Sequence, residues 1–148
     1  MAKKRFLIAD QIITTLFYAV FCILILSLFL LKDPRVWRTL LVCGISFFAV
    51  SAFRHFYNAP RPYETDPTIK PPKPQCKKGH AFPSRHVFCA FLITSVTAIF
   101  CPPGGLLLFF PAVFLAWLRV RLNYHSAKDV VCGAVLGIFC AAVGFCLF

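Results

Sequence analysis

The chain has 148 residues, of which 59% are hydrophobic and 14% are charged. Soluble domains average roughly 45–50% apolar and about 25% charged residues, so this composition argues against an ordinary soluble domain. The net charge of +11 does not indicate nucleic-acid binding, because the basic residues stand at the ends of apolar runs rather than along a polar face. Two explanations of the charge remain, which are flanking charge beside anionic lipid and a binding surface for a multiply anionic substrate.

The apolar runs predict helices that cross a membrane. Residues 11–31 carry no charge, and 21 helical residues span about 30 Å, the thickness of the hydrocarbon layer. We interpret this run as a retained helix rather than a signal peptide, because it is too long and lacks a clear cleavage site. Residues 39–53 form a second, shorter run, which reaches sufficient length if Val36 and Trp37 join it and Arg38 snorkels.

The second half of the chain predicts three further crossings. Residues 87–118 are uncharged but too numerous for one crossing, and the sequence Cys101-Pro-Pro-Gly-Gly105 predicts a tight turn between two helices. Residues 130–148 form the last run. The sequence therefore predicts one all-α domain over residues 1–148, a polytopic transmembrane helical bundle with about five transmembrane helices. Such a chain is expected in the cell membrane as a multi-pass protein.

Eight cysteines do not indicate a disulfide framework, because most of them lie inside apolar runs, where Cys behaves as a small hydrophobic residue. Only Cys76 lies in a polar loop, and no second thiol stands nearby at zinc-ligand spacing. We therefore expect no structural metal site.

The segment 54–83 is polar and contains seven prolines, so it cannot be helical throughout. Long irregular segments in compact domains are usually functional or disordered. Five crossings place this segment, the N-terminus and the 119–128 link on one membrane side. The positive-inside rule would put that side in the cytoplasm, unless its arginines are there to bind phosphate.

Three polar clusters lie on this side, and the first contains Arg54, Arg61 and Pro62. Seven residues make nearly two helical turns, so on a continuous helix the two arginines would project in similar directions, although the prolines here favour its end. Arginine suits phosphate because its planar fork donates two parallel hydrogen bonds. Ordinary snorkelling at a membrane end is the alternative.

The second cluster, Pro83-Ser84-Arg85-His86, stands directly before an apolar run. Ser84 is a typical N-cap residue, and the N-terminus of a helix is an anion-binding position. His86 would then lie in the first turn, close to a bound anion. A capped helix with an incidental histidine is the alternative.

The third cluster contains Arg119, His125 and Asp129. His125 and Asp129 are four residues apart, so on a helix a carboxylate would face the imidazole ring and leave one ring nitrogen free as a nucleophile. Ser126 and Asp129 also form the S-x-x-D pattern of a helix start, so Asp129 has an alternative role as a capping residue.

Together, the three clusters resemble the motifs of the type 2 phosphatidic acid phosphatase (PAP2) superfamily, in its membrane branch of lipid phosphate and undecaprenyl-pyrophosphate phosphatases. The family motifs are Lys, six residues, Arg-Pro; then Pro-Ser-Gly-His; then Ser-Arg, five residues, His, three residues, Asp. The match runs in the family's order over residues 54–129, half of the chain. The residues at the motif positions are Arg54, Arg61, Pro62, Pro83, Ser84, Arg85, His86, Arg119, His125 and Asp129.

The sequence departs from the family pattern at three motif positions. Arg54 replaces a lysine, Arg85 replaces a glycine where the family brings backbone close to phosphate, and Leu118 replaces a serine. The family usually has six crossings, whereas five are predicted here.

The resemblance implies a role for each motif residue. His125 would be the nucleophile, Asp129 would orient it, and His86 would protonate the leaving oxygen and then activate water. No metal or other cofactor would be required, since cations of the chain would neutralise the phosphate. The residues that would bind the phosphate oxygens are Arg54, Arg61, Ser84, Arg85 and Arg119.

The predicted function is therefore that of an integral membrane phosphatase acting on a lipid phosphate or pyrophosphate, with membrane lipids as its other partners. One alternative is a catalytically silent protein that binds anionic lipid head groups. A structural or transport subunit would leave the three motif spacings as coincidence. The sequence predicts neither the particular lipid nor the oligomeric state.

Overall fold

Five long helices and one short helix make up the computed structural model, which describes residues 2–73 and 75–146. Within these ranges there is no strand, and four helices are long and apolar enough to cross a membrane. The predicted all-α, multi-pass transmembrane bundle is confirmed. The helices are α1 (Ala2–Leu30), α2 (Arg35–Tyr57), α3 (Pro62–Thr65), α4 (Arg85–Phe100), α5 (Pro102–Arg121) and α6 (Ala127–Cys146).

Helix α4 is apolar but shorter, because its 16 residues span only about 24 Å. It lies at the centre of the bundle, where it packs against α5 and α6 and also touches α1 and α2. Val87, Phe88, Ala90 and Val96 on this helix are fully buried. His86 lies in the first turn of this central helix.

The predicted break in the run 87–118 is confirmed, and it is even tighter than expected. Only Cys101 separates α4 from α5, and Pro102 is the first residue of α5. Proline is tolerated there because the first N–H groups of a helix have no partner within the helix. The prolines therefore start the next helix instead of forming a loop.

Close packing of α6 on α4 depends on two glycines. A Cβ atom added at Gly133 would lie 2.7 Å from the carbonyl oxygen of Ser84, and one at Gly137 would lie 2.6 Å from that of Phe88. These distances are too short for any side chain, so the two backbones approach each other as in small-residue contacts between membrane helices. This contact fixes the start of α6 beside the start of α4.

Replacing Gly137 by alanine is therefore expected to destabilise the bundle by about 1–3 kcal/mol, the usual cost of overpacking. Gly44 is the matched control, because a Cβ there meets nothing within 4 Å and it lies inside α2. Gly44→Ala is expected to stabilise the protein by roughly 0.5–1 kcal/mol. The measurement is thermal unfolding in detergent, and equal midpoints for the two variants would contradict the packing argument.

The segment between α2 and α4 is mostly irregular. Helix α2 ends at Tyr57, followed by Asn58 in the left-handed conformation at φ 43°, and the short helix α3 was not predicted. The Lys3 Nζ atom donates a hydrogen bond to the carbonyl oxygen of Pro71 at 3.1 Å. This contact holds the segment against the start of α1, at the same end of the bundle as the α5–α6 link.

Candidate active site

A cavity of about 460 Å³ opens at this end of the bundle. It is lined by residues of α1, α2, α4 and α5, the irregular segment and the α5–α6 link. Ser84 and Asp129 are the two predicted site residues that do not line it. The six predicted site residues that line the cavity are Arg54, Arg61, Arg85, His86, Arg119 and His125.

His125 lies in the link between α5 and α6 and is only 3% exposed. Its Nδ1 atom lies 3.6 Å from Oδ2 of Asp129, which is an ion-pair distance but too long for a hydrogen bond. A carboxylate on this side favours the tautomer with the proton on Nδ1. The lone pair of neutral His125 is then on Nε2, the nitrogen that a nucleophile needs.

The carboxylate of Asp129 also caps α6. The backbone N–H of Ser126 donates to Oδ2 of Asp129 at 2.8 Å, and the N–H of Asp129 donates to Oγ of Ser126 at 3.3 Å. The two interpretations of Asp129 are therefore compatible, because one oxygen atom both accepts the capping hydrogen bond and faces His125.

Burial lowers the pKa of His125 below its ordinary value of about 6.5, because a charged imidazolium loses hydration there. The Asp129 carboxylate opposes this shift, whereas the positive charges of Arg61 and Arg54 add to it. His125 is therefore neutral near pH 7.

Arg54 and Arg61 hold the irregular segment in place. The guanidinium of Arg54, which is only 8% exposed, donates hydrogen bonds to the carbonyl oxygens of Pro83 and His80. The Nε atom of Arg61 donates to the carbonyl oxygen of Gly79 at 3.0 Å. Both arginines thus bind backbone carbonyls directly before α4 while also lining the cavity.

Arg119 is held from the opposite wall, by α1. Its Nε atom lies 2.8 Å from Oδ1 of Asp10, and its Nη2 atom donates to Oγ1 of Thr14 at 3.2 Å. The guanidinium carbon also lies 5.1 Å from the centre of the Tyr124 ring. Arg119 is therefore fixed between a carboxylate, a hydroxyl and an aromatic face.

At the start of α4, Ser84 does not form the side-chain hydrogen bond expected of a serine N-cap. Ser84 occupies the N-cap position, but its buried hydroxyl has no hydrogen-bond partner among the described residues, and its N–H donates to the carbonyl oxygen of Asp129 at 2.9 Å. The exposed Arg85 lies over the Phe47 ring at 5.4 Å. His86 and Arg85 line the cavity at the start of α4, whereas Ser84 does not line it.

Sequence reasoning missed Tyr124 and two groups of lining residues. A signal for the first group was present, because its members recur at intervals of one and three along the first run, which is one face of a helix. It consists of Asp10, Gln11, Thr14, Thr15 and Tyr18. The second group gave no signal beyond its place in the polar segment, and it consists of Lys73, Gln75, Cys76 and Lys77.

The lining contains six basic side chains and a single acidic one, Asp10. Because the site is a cleft with partly buried walls, this excess of positive charge favours anions more strongly than the same charges would in open water. Within residues 2–73 and 75–146, no three His, Cys, Asp or Glu side chains are grouped as metal ligands would be.

The transmembrane bundle thus holds a cationic cavity, with a buried His–Asp pair, that suits a phosphorylated substrate. The family model of the PAP2 superfamily matches residues 35–148, and the chain belongs to that superfamily. The predicted membership of the superfamily is thereby confirmed, and the chain is a phosphatase-type hydrolase. No curated protein sequence matches it.

Solved structures of similar fold support this assignment. The crystal structure of LpxE from Aquifex aeolicus is 25% identical, with a TM-score of 0.74, over 92% of this chain and 84% of that one. A transmembrane PAP2-type phosphatidylglycerolphosphate phosphatase from Bacillus subtilis is 20% identical, with a TM-score of 0.71, over 92% of this chain and 74% of that one. The latter likeness bears on the fold alone.

Proposed function

We propose that the protein is a cell-membrane phosphatase that hydrolyses a lipid phosphate or pyrophosphate through a phosphohistidine intermediate at His125. The observation that carries this proposal is the buried imidazole of His125, which lines a strongly cationic cavity while its Nδ1 faces Asp129. Binding of an anion alone needs neither a neutral nucleophile nor a carboxylate that orients it.

In this mechanism the phosphate lies among the cations of the cavity. Arg61, Arg119 and Arg85 offer N–H groups to its non-bridging oxygens, and Arg54 adds positive charge from the side of the irregular segment. Such fixed donors stabilise the charge that the three equatorial oxygens carry in the transition state. These cations supply the charge neutralisation that a metal ion supplies in other phosphatases, so we propose that turnover is independent of metal.

The reaction proceeds in two displacements. The Nε2 lone pair of His125 forms a bond to phosphorus as the bond to the lipid oxygen breaks. His86, which the negative charge of the bound phosphate keeps protonated, donates its proton to that oxygen. The positive charge on phosphorylated His125 is balanced by Asp129. His86, now neutral, takes a proton from a water molecule, whose oxygen attacks phosphorus and releases inorganic phosphate and neutral His125.

A lipid substrate is favoured by an apolar groove that adjoins the cavity. The groove has a volume of about 260 Å³ and lies between α1, α2 and α4. Tyr18 lines both the groove and the cavity. An acyl or prenyl chain in the groove would therefore be continuous with a phosphate at the cations. Apolar residues that line the groove include Phe21, Leu40, Phe47, Leu92 and Ile93.

A catalytically silent protein that binds anionic lipid head groups is the second candidate. It is favoured by Arg85 in place of the family's glycine and by Ser84, whose N–H and hydroxyl do not face the cavity. Ser84 therefore lacks the contacts that the family pattern offers to phosphate, and Arg85 places a side chain where that pattern brings backbone close to it.

Phosphate release by the detergent-purified protein in EDTA distinguishes the two candidates. We expect turnover of at least one of phosphatidic acid, phosphatidylglycerol phosphate and undecaprenyl pyrophosphate, at a rate that added Mg²⁺ does not raise. Activity that appears only with added metal would contradict the metal-free mechanism. Binding of these lipids by folded protein without any turnover would favour the silent protein.

A further inference from the structure

Asp10 is the single acidic side chain in the lining of the cavity, and it belongs to α1. It is 7% exposed, and a carboxylate so buried among cations needs a specific partner. The partner is Arg119, which is also 7% exposed. The contact joins α1 to a cation that the proposed function assigns to the phosphate.

The two contacts from α1 occupy one edge of the guanidinium of Arg119. Oδ1 of Asp10 lies 2.8 Å from Nε as an ion pair without hydrogen-bond geometry, and Thr14 accepts a hydrogen bond from Nη2. Because Nε and Nη2 form one edge of the planar fork, the other edge keeps donors for an anion in the cavity. The edge with Nε and Nη2 thus faces α1, and the other edge of the guanidinium faces the cavity.

We propose that Asp10, together with Thr14, is a positioning residue that holds Arg119 in the orientation needed to bind the transferring phosphate. This inference rests on the proposed function, and it adds α1 to the catalytic apparatus. The family match begins at residue 35, so neither Asp10 nor Thr14 belongs to the region that identifies the family.

Physical reasons support a positioning role. A free arginine side chain has many rotamers, and the neighbouring cations of the cavity repel it, so Arg119 would turn away without a carboxylate behind it. The negative charge of Asp10 also lowers the attraction of the empty site for any anion. Asp10 therefore weakens binding of the ground-state phosphate but keeps the N–H donors of Arg119 in a fixed orientation. This combination favours catalysis over tight binding.

The test compares Asp10→Asn with Asp33→Asn. Asp33 forms an ion pair with Arg35 at 2.6 Å outside the cavity, so its variant controls for the loss of one carboxylate and one ion pair. For Asp10→Asn we expect kcat to fall about 10- to 100-fold, by analogy with residues that orient the ligands of a metal ion. KM is expected to stay equal or to fall, and Asp33→Asn should match the wild type.

Orthovanadate binding provides a readout that a loss of folded protein would not change. Vanadate adopts the five-coordinate geometry of a phosphoryl-transfer transition state, and its dissociation constant does not depend on how much protein is folded. We expect Asp10→Asn to weaken vanadate binding about tenfold. Unchanged kcat and unchanged vanadate affinity in this variant would overturn the proposal.

Two further variants keep the test decisive if Asp10→Asn does not fold. Thr14→Val removes the hydroxyl that accepts from Arg119, while Thr14→Ser keeps it, so only the valine variant should bind vanadate more weakly.

A double-mutant comparison tests whether Asp10 acts through Arg119. Asp10→Asn is expected to have no additional effect in an Arg119→Ala background. Independent, multiplicative effects of the two substitutions would mean that Asp10 has only a structural role.

Vanadate binding also separates this inference from the proposed function. Weaker binding by Asp10→Asn in a protein that hydrolyses none of the lipids would support the positioning role and contradict the proposed catalysis. Wild-type protein that does not bind vanadate at all would overturn the positioning role as well.

Discussion

His125→Ala protein is expected to lose turnover by at least about 10,000-fold, because the substitution removes the atom that forms the bond to phosphorus. The cations and Asp10 are untouched, so inorganic phosphate should still bind. The measurement is phosphate release together with size-exclusion behaviour in detergent.

His55→Ala is the matched control for this prediction. His55 stacks on His80 with 5.7 Å between ring centroids, but it does not line the cavity. Its variant should keep wild-type turnover. Labelled substrate should leave an acid-labile, base-stable phosphate on the wild type and none on His125→Ala. Substantial turnover by His125→Ala would rule out this histidine as the nucleophile.

Asp129→Asn is expected to lower kcat roughly 1,000- to 10,000-fold, as for other catalytic histidines that lose their carboxylate. The amide neither favours the reactive tautomer of His125 nor balances its positive charge. The carboxylate also raises the pKa of His125 against the effect of burial. Its removal therefore lowers that pKa further, and the acidic limb of kcat/KM should move to lower pH.

Ser126→Ala separates catalysis from helix capping in this experiment. It removes the hydroxyl that accepts from the N–H of Asp129 but leaves the carboxylate facing His125. We expect a loss of about 1 kcal/mol of stability and a wild-type pH profile. If Ser126→Ala reduced kcat as strongly as Asp129→Asn, the effect of Asp129 would be explained by the cap alone.

The fold was largely predictable because long apolar runs have one stable solution in a membrane. The run 87–118 was divided correctly, since consecutive prolines and glycines cannot continue a helix. Helix α3 was missed because four residues give no periodic pattern. The central position of α4 was also not predictable, because it depends on the contacts of Gly133 and Gly137, which join distant parts of the chain.

The candidate site was predictable where its residues stand close in sequence. A spacing of four positions between His125 and Asp129 implies neighbouring side chains, and the structure places Nδ1 of His125 3.6 Å from Oδ2 of Asp129. Asp10 was missed because it directly precedes an apolar run, and such a run by itself predicts only a membrane crossing. Burial of Ser84 and the hydrogen bonds of Arg54 to backbone carbonyls arise from tertiary packing, and local sequence does not encode them.

Asp129 both caps α6 and faces His125, and this affects how the sequence would change if selection for activity were relaxed. Its carboxylate would still be needed to start α6, so purifying selection for folding would preserve Asp129 and Ser126. No comparable structural demand protects His125, whose Nδ1 lacks a hydrogen-bond partner among the described residues. In descendants of this chain, an inactive protein should therefore be recognised by substitution of His125 and not by loss of the acidic residue.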